Sequence, residues 1–350
     1  MKTELIPVNQ ENIDISVMAR AGELIRRGGL VAFPTETVYG LGGNGLNPHS
    51  SKAIYAAKGR PSDNPLILHI ADRNELYSLV SEISETAEKL MDAFWPGPMT
   101  LVFPKSELVP TETTGGLDTV AVRMPRHPIA LELIRMAGVP IAAPSANTSG
   151  RPSPTRASHV WEDMEGRIEM ILDGGEVGIG LESTIIDLTG GIPTILRPGY
   201  ITQSMIEEVI GHIEVDKAST GENSEYLRPK APGMKYRHYA PRAEMTLVSG
   251  EHTKVCERIL ALALEQRNRG NKVRIICTEE SRSCFSEFDA VSAGFRSHPE
   301  MIAHNLFRLL READLDEVDV LLSETFEETE LGNAVMNRLM KAAGYHIVRV

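Results

Sequence analysis

Short apolar runs alternate with segments of helical spacing through the first two thirds of the chain. The runs have the length of buried strands, and apolar residues three and four apart predict amphipathic helices between them. The predicted strands span 30–33, 66–70, 100–103, 119–124, 139–143, 169–173, 183–188 and 194–197. The predicted helices span 16–27, 50–58, 84–94, 128–137, 155–164 and 202–210. Many strands with a few interleaved helices predict an α/β domain built on a twisted, mixed sheet.

A more regular alternation of strand and helix begins at residue 244. It predicts a small parallel, Rossmann-like domain. The strands are predicted at 244–250, 272–279, 289–294, 318–324 and 346–350, and the helices at 252–269, 299–313 and 328–343. The segment before it lacks periodicity. We therefore predict a first domain over 1–211, a linker over 212–243 and a C-terminal domain over 244–350.

The second half of this linker has a one-sided charge pattern. Between Tyr226 and Arg242 it contains no Asp or Glu, although the whole chain has a net charge of −12. Its basic residues are Arg228, Lys230, Lys235, Arg237 and Arg242. The motif PGMKYRHYAP at 232–241 begins with proline and glycine and ends with proline. The segment is either a solvated basic tether or a lid that folds over an anionic ligand.

Composition narrows the class of protein. The 350 residues suit two domains, and 42% hydrophobic with 24% charged residues is typical of a globular protein. The negative net charge argues against a general basic surface for nucleic acid, so any RNA contact would be local. The chain has no long apolar run and no apolar signal-peptide core at its start, which predicts no membrane span. Three scattered cysteines without a C-x-x-C pair suit reduced thiols and a cytoplasmic location.

The glycines at 40–45 match the pattern G-x-G-x-x-G but not its context. The dinucleotide fingerprint needs its first glycine at the strand end and a helix at its last. Here Gly40 lies seven residues after Phe33, and Asn47 and Pro48 precede the helix. We expect these glycines instead to let the backbone turn tightly beside a ligand. The sequence has no G-x-x-x-x-G-K-[ST] either, so a nucleotide would be bound without a P-loop.

Two cations and a polar cluster are the strongest candidates for chemistry. Lys58 ends a predicted helix, and Arg60 precedes Pro61, which favours an extended conformation. We expect both side chains to point to one side of a cleft, where a point charge and a fork-shaped donor suit phosphate oxygens. Ser145 and Asn147 follow a buried strand. Alternatively, Lys58 only complements the helix dipole and the serine and asparagine only form a turn.

Further polar residues lie at strand ends. Arg197 comes directly before Pro198, and one residue separates Arg123 from Pro125. His69 lies inside an apolar strand, where a histidine is usually a core residue. Thr35, Thr37 and Tyr39 alternate after the strand at 30–33 and can present hydroxyls to a small polar substrate. The sequence shows no H-E-x-x-H motif, no catalytic Ser-His-Asp order and no cysteine nucleophile motif. It therefore predicts a site that acts by positioning and electrostatics.

The ordered set of motifs resembles a known family. The motifs are FPTETVYG (33–40), LILHI (66–70), WPGPMTL (95–101), VAVRMP (120–125), APSANTSGRPSPT (143–155), LESTIID (181–187) and ILRPG (195–199). Residues 15–210 resemble a YrdC-like domain, and the whole chain resembles the two-domain form of the threonylcarbamoyl-AMP synthases. The resemblance implies an enzyme that makes L-threonylcarbamoyl-AMP from L-threonine, bicarbonate or CO2, and ATP, with Mg2+ arriving with the ATP. It also implies release of pyrophosphate and transfer of the product to the tRNA threonylcarbamoyl-transfer machinery.

The same resemblance implies roles for individual residues. It makes Lys58 and Arg60 the catalytic cations and Arg123 the partner of the threonine carboxylate, and it implies no metal ligand among the side chains. The implied ATP-binding residues are Lys58, Arg60, Ser62, Thr119, Asn147, Ser153, Arg197, Lys235, Tyr236, Arg237, His238 and Tyr239. The implied threonine-binding residues are Thr35, His69, Arg123, Ala143, Ser145 and Ser183.

Other functions stay open at this point. A YrdC-like domain can also be an RNA-binding module with a local basic concave face. A carbamoyl-transfer domain of hydrogenase maturation would need zinc-finger or acylphosphatase-like segments, which the sequence lacks. The C-terminal domain shows no phosphate loop and no catalytic constellation, so it is a candidate for a regulatory module that binds a partner or a ligand.

Overall fold

The computed structural model describes residues 2–216, 238–326 and 329–350. These residues form two compact units. The larger unit comprises 2–149, 153–178 and 182–216, and the smaller unit comprises 238–326 and 329–350 together with 150–152 and 179–181. The two short segments that belong to the smaller unit were not anticipated. The boundaries 1–211, 212–243 and 244–350 stay a prediction.

The larger unit contains the mixed strand and helix pattern that the sequence predicts. Its strands are β1 Glu4–Pro7, β2 Val31–Phe33, β3 Gly40–Asn44, β4 Ile67–His69, β5 Met99–Pro104, β6 Thr119–Arg123, β7 Ile141–Ala142, β8 Met170–Asp173, β9 Thr184–Asp187, β10 Thr194–Arg197 and β11 Glu214–Val215. Its helices are α1 Ile15–Arg26, α2 Pro48–Lys58, α3 Leu76–Leu79, α4 Glu85–Phe94, α5 Pro128–Ala137, α6 Ala157–Met164 and α7 Gln203–Ile210.

These strands form one mixed sheet in the order β1-β8-β2-β3-β7-β4-β6-β5-β9-β10-β11. On one face, α1 and α5 cover a core that includes Phe33 and Ile141. His69 lies opposite Ile141 across the β4–β7 pair, so both side chains are on this face. Farther along the same face a small cluster consists of strand residues alone: Ile67, Val102, Ala121, Ile185 and Leu196. The opposite face carries the larger core.

The glycines at 40–45 do not turn the chain as we expected. Gly40 to Asn44 form β3, which pairs with β2 and β7. A Cβ at Gly42 would approach both Ile141 Cγ2 and Phe33 Cε1 to 2.8 Å, and one at Gly45 would approach Leu68 Cδ2 to 2.3 Å. These glycines therefore serve to let neighbouring side chains pack closely against an internal strand, and not to form a turn.

Besides β3, the sequence analysis missed three short elements of the larger unit, β1, β11 and α3. The strand β1 is largely exposed, β11 is two exposed residues long, and α3 is a single turn. The strand β11 also corrects the expectation that 212–243 lacks regular structure. Short or exposed elements at a sheet edge carry little apolar periodicity, so the pattern on which the prediction depends is missing there.

The smaller unit confirms the Rossmann-like prediction. Its strands are β12 Glu244–Ser249, β13 Val273–Cys277, β14 Asp289–Ser292, β15 Val320–Glu324 and β16 Ile347–Arg349. Its helices are α8 His252–Asn268, α9 Pro299–Leu315 and α10 Glu330–Ala342. All strand pairs are parallel, in the order β14-β13-β15-β12-β16. No helix in the described ranges is long and apolar enough to cross a membrane.

Candidate active site

Polar side chains gather where the three neighbouring strands β4, β6 and β5 run side by side, on the same face of the sheet as α1 and α5. His69 of β4, Arg123 of β6 and Thr100 of β5 are in register. All three are buried, with His69 and Arg123 each 4% exposed. Side chains in register on adjacent strands lie on the same face, so the sheet brings a ring, a guanidinium and a hydroxyl together.

The loop between β2 and β3 completes this group. The Thr35 hydroxyl donates to the carbonyl of Val38 at 2.6 Å and lies 2.8 Å from the Thr37 hydroxyl. Arg123 Nη1 donates to Thr37 Oγ1 at 2.9 Å. Arg123 Nη2 also lies 2.7 Å from Glu36 Oε1 in a buried ion pair. We call Glu36, Thr37, His69, Thr100 and Arg123 the strand-end cluster.

The ion pair of this cluster is close but poorly aligned. Among the described residues, neither Glu36 oxygen accepts a well-aligned hydrogen bond, and Arg123 Nη2 donates none. Buried polar atoms in this condition are rare and costly, because each loses its hydrogen bonds to water without replacement. A bound polar ligand can supply the hydrogen bonds that these atoms lack.

Charge states in the cluster follow from burial and from the guanidinium. Burial is the largest influence on Glu36 and raises its pKa, but the charge of Arg123 and the donors around the carboxylate together outweigh burial and hold that pKa below its usual range. Burial, and then the charge of Arg123, lower the pKa of His69 to about 3. Near neutral pH the cluster therefore holds a carboxylate, a guanidinium and a neutral imidazole.

The low pKa of His69 predicts a stability loss in mild acid. From pH 6.5 downwards the unfolded chain binds a proton at this histidine while the folded chain does not, so stability falls with pH. Between pH 6.5 and 5.5 this single group should account for about 1 kcal/mol. His69→Gln should lose that much less than the wild type, measured by urea unfolding with tryptophan fluorescence, since Trp95 and Trp161 are both in the larger unit. His49→Gln, at an exposed position, is the control. Equal losses in wild type and His69→Gln would contradict the assignment.

Ser183 and Arg197 join the cluster through Thr100. The hydroxyls of Thr100 and Ser183 lie 2.7 Å apart. Arg197 Nη2 donates to the Ser183 carbonyl at 2.9 Å and to its hydroxyl at 3.1 Å. Both residues are buried. Arg197, which the resemblance links to ATP, is thus bonded to the residue that the resemblance links to threonine.

Lys58 lies in a second group, with Ser145 and Asn147. Its ammonium donates to the carbonyls of Ser145 and Asn147, each at 2.5 Å. The Ser145 hydroxyl donates to Asn147 Oδ1 at 2.5 Å. An isolated bridge between Gly40 and Ser145 ties this turn to β3. The K-x-R and S-x-N motifs therefore meet through the lysine.

The expectation for the cation pair is wrong in two respects. Lys58 is only 3% exposed, so it does not stand on an open cleft wall. Gly59 caps α2 in the left-handed conformation, with a φ of 62°, so the stretch from Lys58 to Arg60 is not extended. Arg60 turns back and donates to the carbonyls of Asn64 at 3.3 Å and Pro65 at 3.1 Å.

The remaining candidates in the larger unit occupy varied surroundings. The Ser153 hydroxyl donates to Glu182 Oε1 at 2.5 Å, and both residues are buried. Ala143 is buried, and its amide donates to the Ile67 carbonyl at 2.9 Å. Thr119 begins β6 on the same face as Arg123. Ser62 lies exposed in a turn after α2.

Of the candidate ATP-binding residues in the basic segment, the structure describes only His238 and Tyr239. Lys235, Tyr236 and Arg237 lie outside the described residues. His238 and Tyr239 belong to the smaller unit, where Tyr239 is buried and stacks on Phe307 with ring centroids 5.2 Å apart.

The structure adds three residues that the sequence analysis did not single out. They are Glu36, Thr100 and Glu182, each buried and each bonded to or paired with a predicted site residue. All three lie inside motifs quoted above. The sequence signal that could have indicated Glu36 and Glu182 is a single acid in a motif that is otherwise apolar or hydroxyl-bearing, because an acid in a buried segment needs a partner.

Metal binding by side chains finds no support in this region. Within 2–216, 238–326 and 329–350, no group of three or more His, Cys, Asp or Glu residues is arranged to hold a metal ion. The acids near the site, Glu36 and Glu182, face Arg123 and Ser153.

Known proteins resemble this chain over nearly its whole length. The family model described as "Telomere recombination" matches residues 23–199, and that described as "Threonylcarbamoyl-AMP synthase, C-terminal domain" matches 201–344. The threonylcarbamoyl-AMP synthase of Pyrococcus abyssi is 52% identical over 99% of this chain and 100% of its own length. That of Bacillus subtilis is 50% identical over 95% of this chain and 94% of its own. A crystal structure of P. abyssi Sua5 complexed with L-threonine superposes with a TM-score of 0.93 at 53% identity, covering 99% of each chain.

Proposed function

The chain belongs to the two-domain threonylcarbamoyl-AMP synthases and is an enzyme of that family, and we propose that its strand-end cluster holds the amino-acid substrate. The buried, poorly aligned ion pair of Arg123 and Glu36 is the observation that carries this proposal. A zwitterionic amino acid brings one carboxylate and one ammonium. Its carboxylate pairs with the guanidinium, as arginine favours, and its ammonium pairs with the Glu36 carboxylate.

Threonine fits the remaining polar groups of this cluster. The hydroxyls of Thr35, Thr37 and Ser183 are within the same hydrogen-bonded region and suit a substrate that has a hydroxyl of its own. His69, with its low pKa, is a neutral partner. The structural relative in complex with L-threonine supports threonine as the substrate.

The phosphates of ATP are assigned to the second group. Lys58 supplies a point charge, Arg60 a fork of donors, and Ser145 and Asn147 neutral polar groups beside the lysine. We further propose ATP contacts from Ser62, Thr119, Ser153, Arg197 and the segment from Lys235 to Tyr239, and threonine contacts from Ala143. The contacts of Arg197 with Ser183 put this arginine beside the proposed boundary of the two substrates.

The proposed reaction has two steps. The threonine ammonium first gives one proton to solvent, and the free amine then adds to the carbon of bicarbonate, which loses one water to form the carbamate. A carbamate oxygen then attacks the α-phosphorus of ATP, the bond to the β-phosphate oxygen breaks, and pyrophosphate leaves. Charge grows on the α-phosphate and on pyrophosphate, and the fixed cations offset it. Glu36 and His69 both have lowered pKa values, so they position the substrate and are poor proton acceptors.

A metal ion is expected to enter the site bound to ATP. We propose Mg2+, which ATP brings with it and which phosphate oxygens commonly hold. When bound, it supplies further positive charge to the phosphate oxygens.

The basic segment before the smaller unit is proposed to act as a lid. Its cationic and aromatic residues at 235–239 suit a cover over a nucleotide that protects a labile mixed anhydride from water. We expect trypsin to cut within 217–237 at least several-fold more slowly when ATP and threonine are both present, measured by mass spectrometry of the fragments. Cleavage at Arg258, in α8 of the smaller unit, is the internal control. Equal cutting rates with and without substrates would leave the segment as a tether.

Pyrophosphate release tests the function itself. The enzyme should release pyrophosphate from ATP only when L-threonine and bicarbonate are both present. Release without either one would contradict the proposal. The alternative of an RNA-binding module is not favoured, since the homologues are named as synthases and the net charge is −12. We propose a cytoplasmic location and transfer of the product to the tRNA-modifying machinery.

A further inference from the structure

The smaller unit contains a cavity to which nothing above assigns a role. Its volume is about 840 Å³, and it opens at the C-terminal ends of the parallel strands. The residues that line it include Ser249 and Arg349, the last residues of β12 and β16, with Gly250 after β12 and Thr325 and Phe326 after β15. A volume of this size is in the range of small-molecule sites, which commonly hold ligands larger than a bare ion.

The cavity lies where the topology of the sheet reverses. From β12 the chain passes through α8 to β13, across β15, whereas from β15 it passes through α10 to β16, across β12. Right-handed crossovers in opposite directions send the two connections to opposite faces of the sheet. The loops after the neighbouring strands β12 and β15 therefore lead to opposite faces of the sheet and leave a crevice between them. In open α/β sheets this crevice is where ligands bind.

The lining combines an apolar floor with a rim of charged and polar side chains. Val255, Phe326, Met336 and Ile347 supply apolar surface. Arg296, Arg349 and His252 lie around it, with Asn333 as a neutral donor and acceptor and Glu280 as the acid. The Glu280 carboxylate is already occupied, because it accepts from the backbone amide of Arg296 at 3.1 Å. Arg349 has no acidic partner among the described residues, so it provides a cation at the rim for an anionic ligand.

One wall of the cavity is held by a buried carboxylate. Glu324 is 1% exposed and accepts from the Thr278 amide at 2.6 Å, the Thr278 hydroxyl at 3.0 Å and the Ser281 hydroxyl at 3.1 Å. It also forms an ion pair with Arg296. A buried acid with this many donors stays in place, so the guanidinium that it contacts is fixed at the cavity wall. This preorganisation is typical of a binding site.

We propose that this cavity binds a nucleoside phosphate, with its phosphate at Arg296 and Arg349 and its base against Phe326 and Met336. The site would not use a helix N-terminus as dinucleotide-binding domains do. Glu251 already accepts from the amides of Thr253 and Lys254 at the start of α8. Arginine side chains replace those amides as the phosphate donors. The proposal does not depend on the reaction assigned to the larger unit.

Equilibrium dialysis of the full chain with AMP tests the proposal. AMP should bind to the wild type, and Arg349→Glu should weaken one class of AMP sites at least about tenfold, the loss expected for one charge-assisted hydrogen bond. Met336→Trp should have a similar effect, because the larger ring fills the floor. Arg258→Glu, an exposed charge reversal on α8 outside the cavity lining, should bind AMP as the wild type does. Thermal unfolding of each variant checks that it is folded.

Two results would overturn the proposal. One is AMP binding that is unchanged in both folded variants, Arg349→Glu and Met336→Trp, since every AMP would then be bound elsewhere. The other is displacement of AMP from the Arg349-dependent site by an equal concentration of inorganic phosphate. That outcome would make the site a plain anion site to which the base contributes nothing.

Discussion

Replacing Lys58 by alanine is expected to lower kcat by roughly 30- to 1000-fold, the loss that corresponds to about 2–4 kcal/mol of transition-state stabilisation. The ammonium lies with the Ser145 and Asn147 carbonyls, in the group assigned to the phosphates. Charge on the phosphate oxygens grows during the reaction, so a fixed cation there acts more on kcat than on substrate affinity. Steady-state pyrophosphate release measures both.

The same substitution leaves two carbonyls without their donor, so stability needs its own control. Lys58→Met keeps most of the apolar stem, so it loses the charge and the donors without leaving the cavity that alanine leaves. Lys52→Ala removes an exposed lysine from the same helix, where it pairs with Glu112 at 3.3 Å. We expect Lys58→Met to be as inactive as Lys58→Ala at a temperature where both are folded, and Lys52→Ala to be active. A folded Lys58→Met enzyme with the wild-type kcat would contradict the assignment.

Replacing Arg123 by alanine should have the largest effect on threonine. We expect kcat/KM for threonine to fall at least about 100-fold, since a bidentate, charge-assisted pair with the carboxylate is lost. The KM for ATP should change little. The substitution also leaves Glu36 as an uncompensated buried charge, which costs about 3–5 kcal/mol of stability.

A double substitution separates binding from stability. Arg123→Met with Glu36→Leu removes both charges of the ion pair, and replacing such a pair by apolar residues is often neutral for stability. We expect this variant to recover the stability that Arg123→Ala loses, while its kcat/KM for threonine stays as low as that of Arg123→Ala. Arg135→Ala, at an exposed arginine of α5, is the control. Recovery of threonine use together with stability would show that Arg123 is a structural residue.

The order of the elements could be predicted because most strands are short apolar runs bounded by turns. The core helices have a clear apolar face, as α5 does with Ile129, Leu133 and Ile134. Polar residues at or near the ends of such runs, among them Arg123 and Ser145, were candidates because the strand ends are visible in the pattern. The comparisons confirm the family and the fold class that these motifs indicate.

What the sequence could not provide are pairings between distant residues and local backbone geometry. The ion pair between Glu36 and Arg123 joins positions far apart in the chain, and neither residue alone indicates the other. The left-handed Gly59 sends Lys58 and Arg60 to different partners, although their spacing suggested one direction. The glycines of β3 have the composition of a turn, and only the close approach of Phe33 and Ile141 explains them as a strand.

The central claim is that this enzyme joins a threonine-derived carbamate to an adenylate. The most direct measurement uses bicarbonate labelled with radioactive carbon and ATP labelled on its α-phosphate in one reaction, with the product separated rapidly by chromatography. We predict a single product that carries both labels in equal amounts and forms only with L-threonine. A threonine-dependent product that carries the phosphate label without the carbon label would be an aminoacyl adenylate, and it would contradict the account.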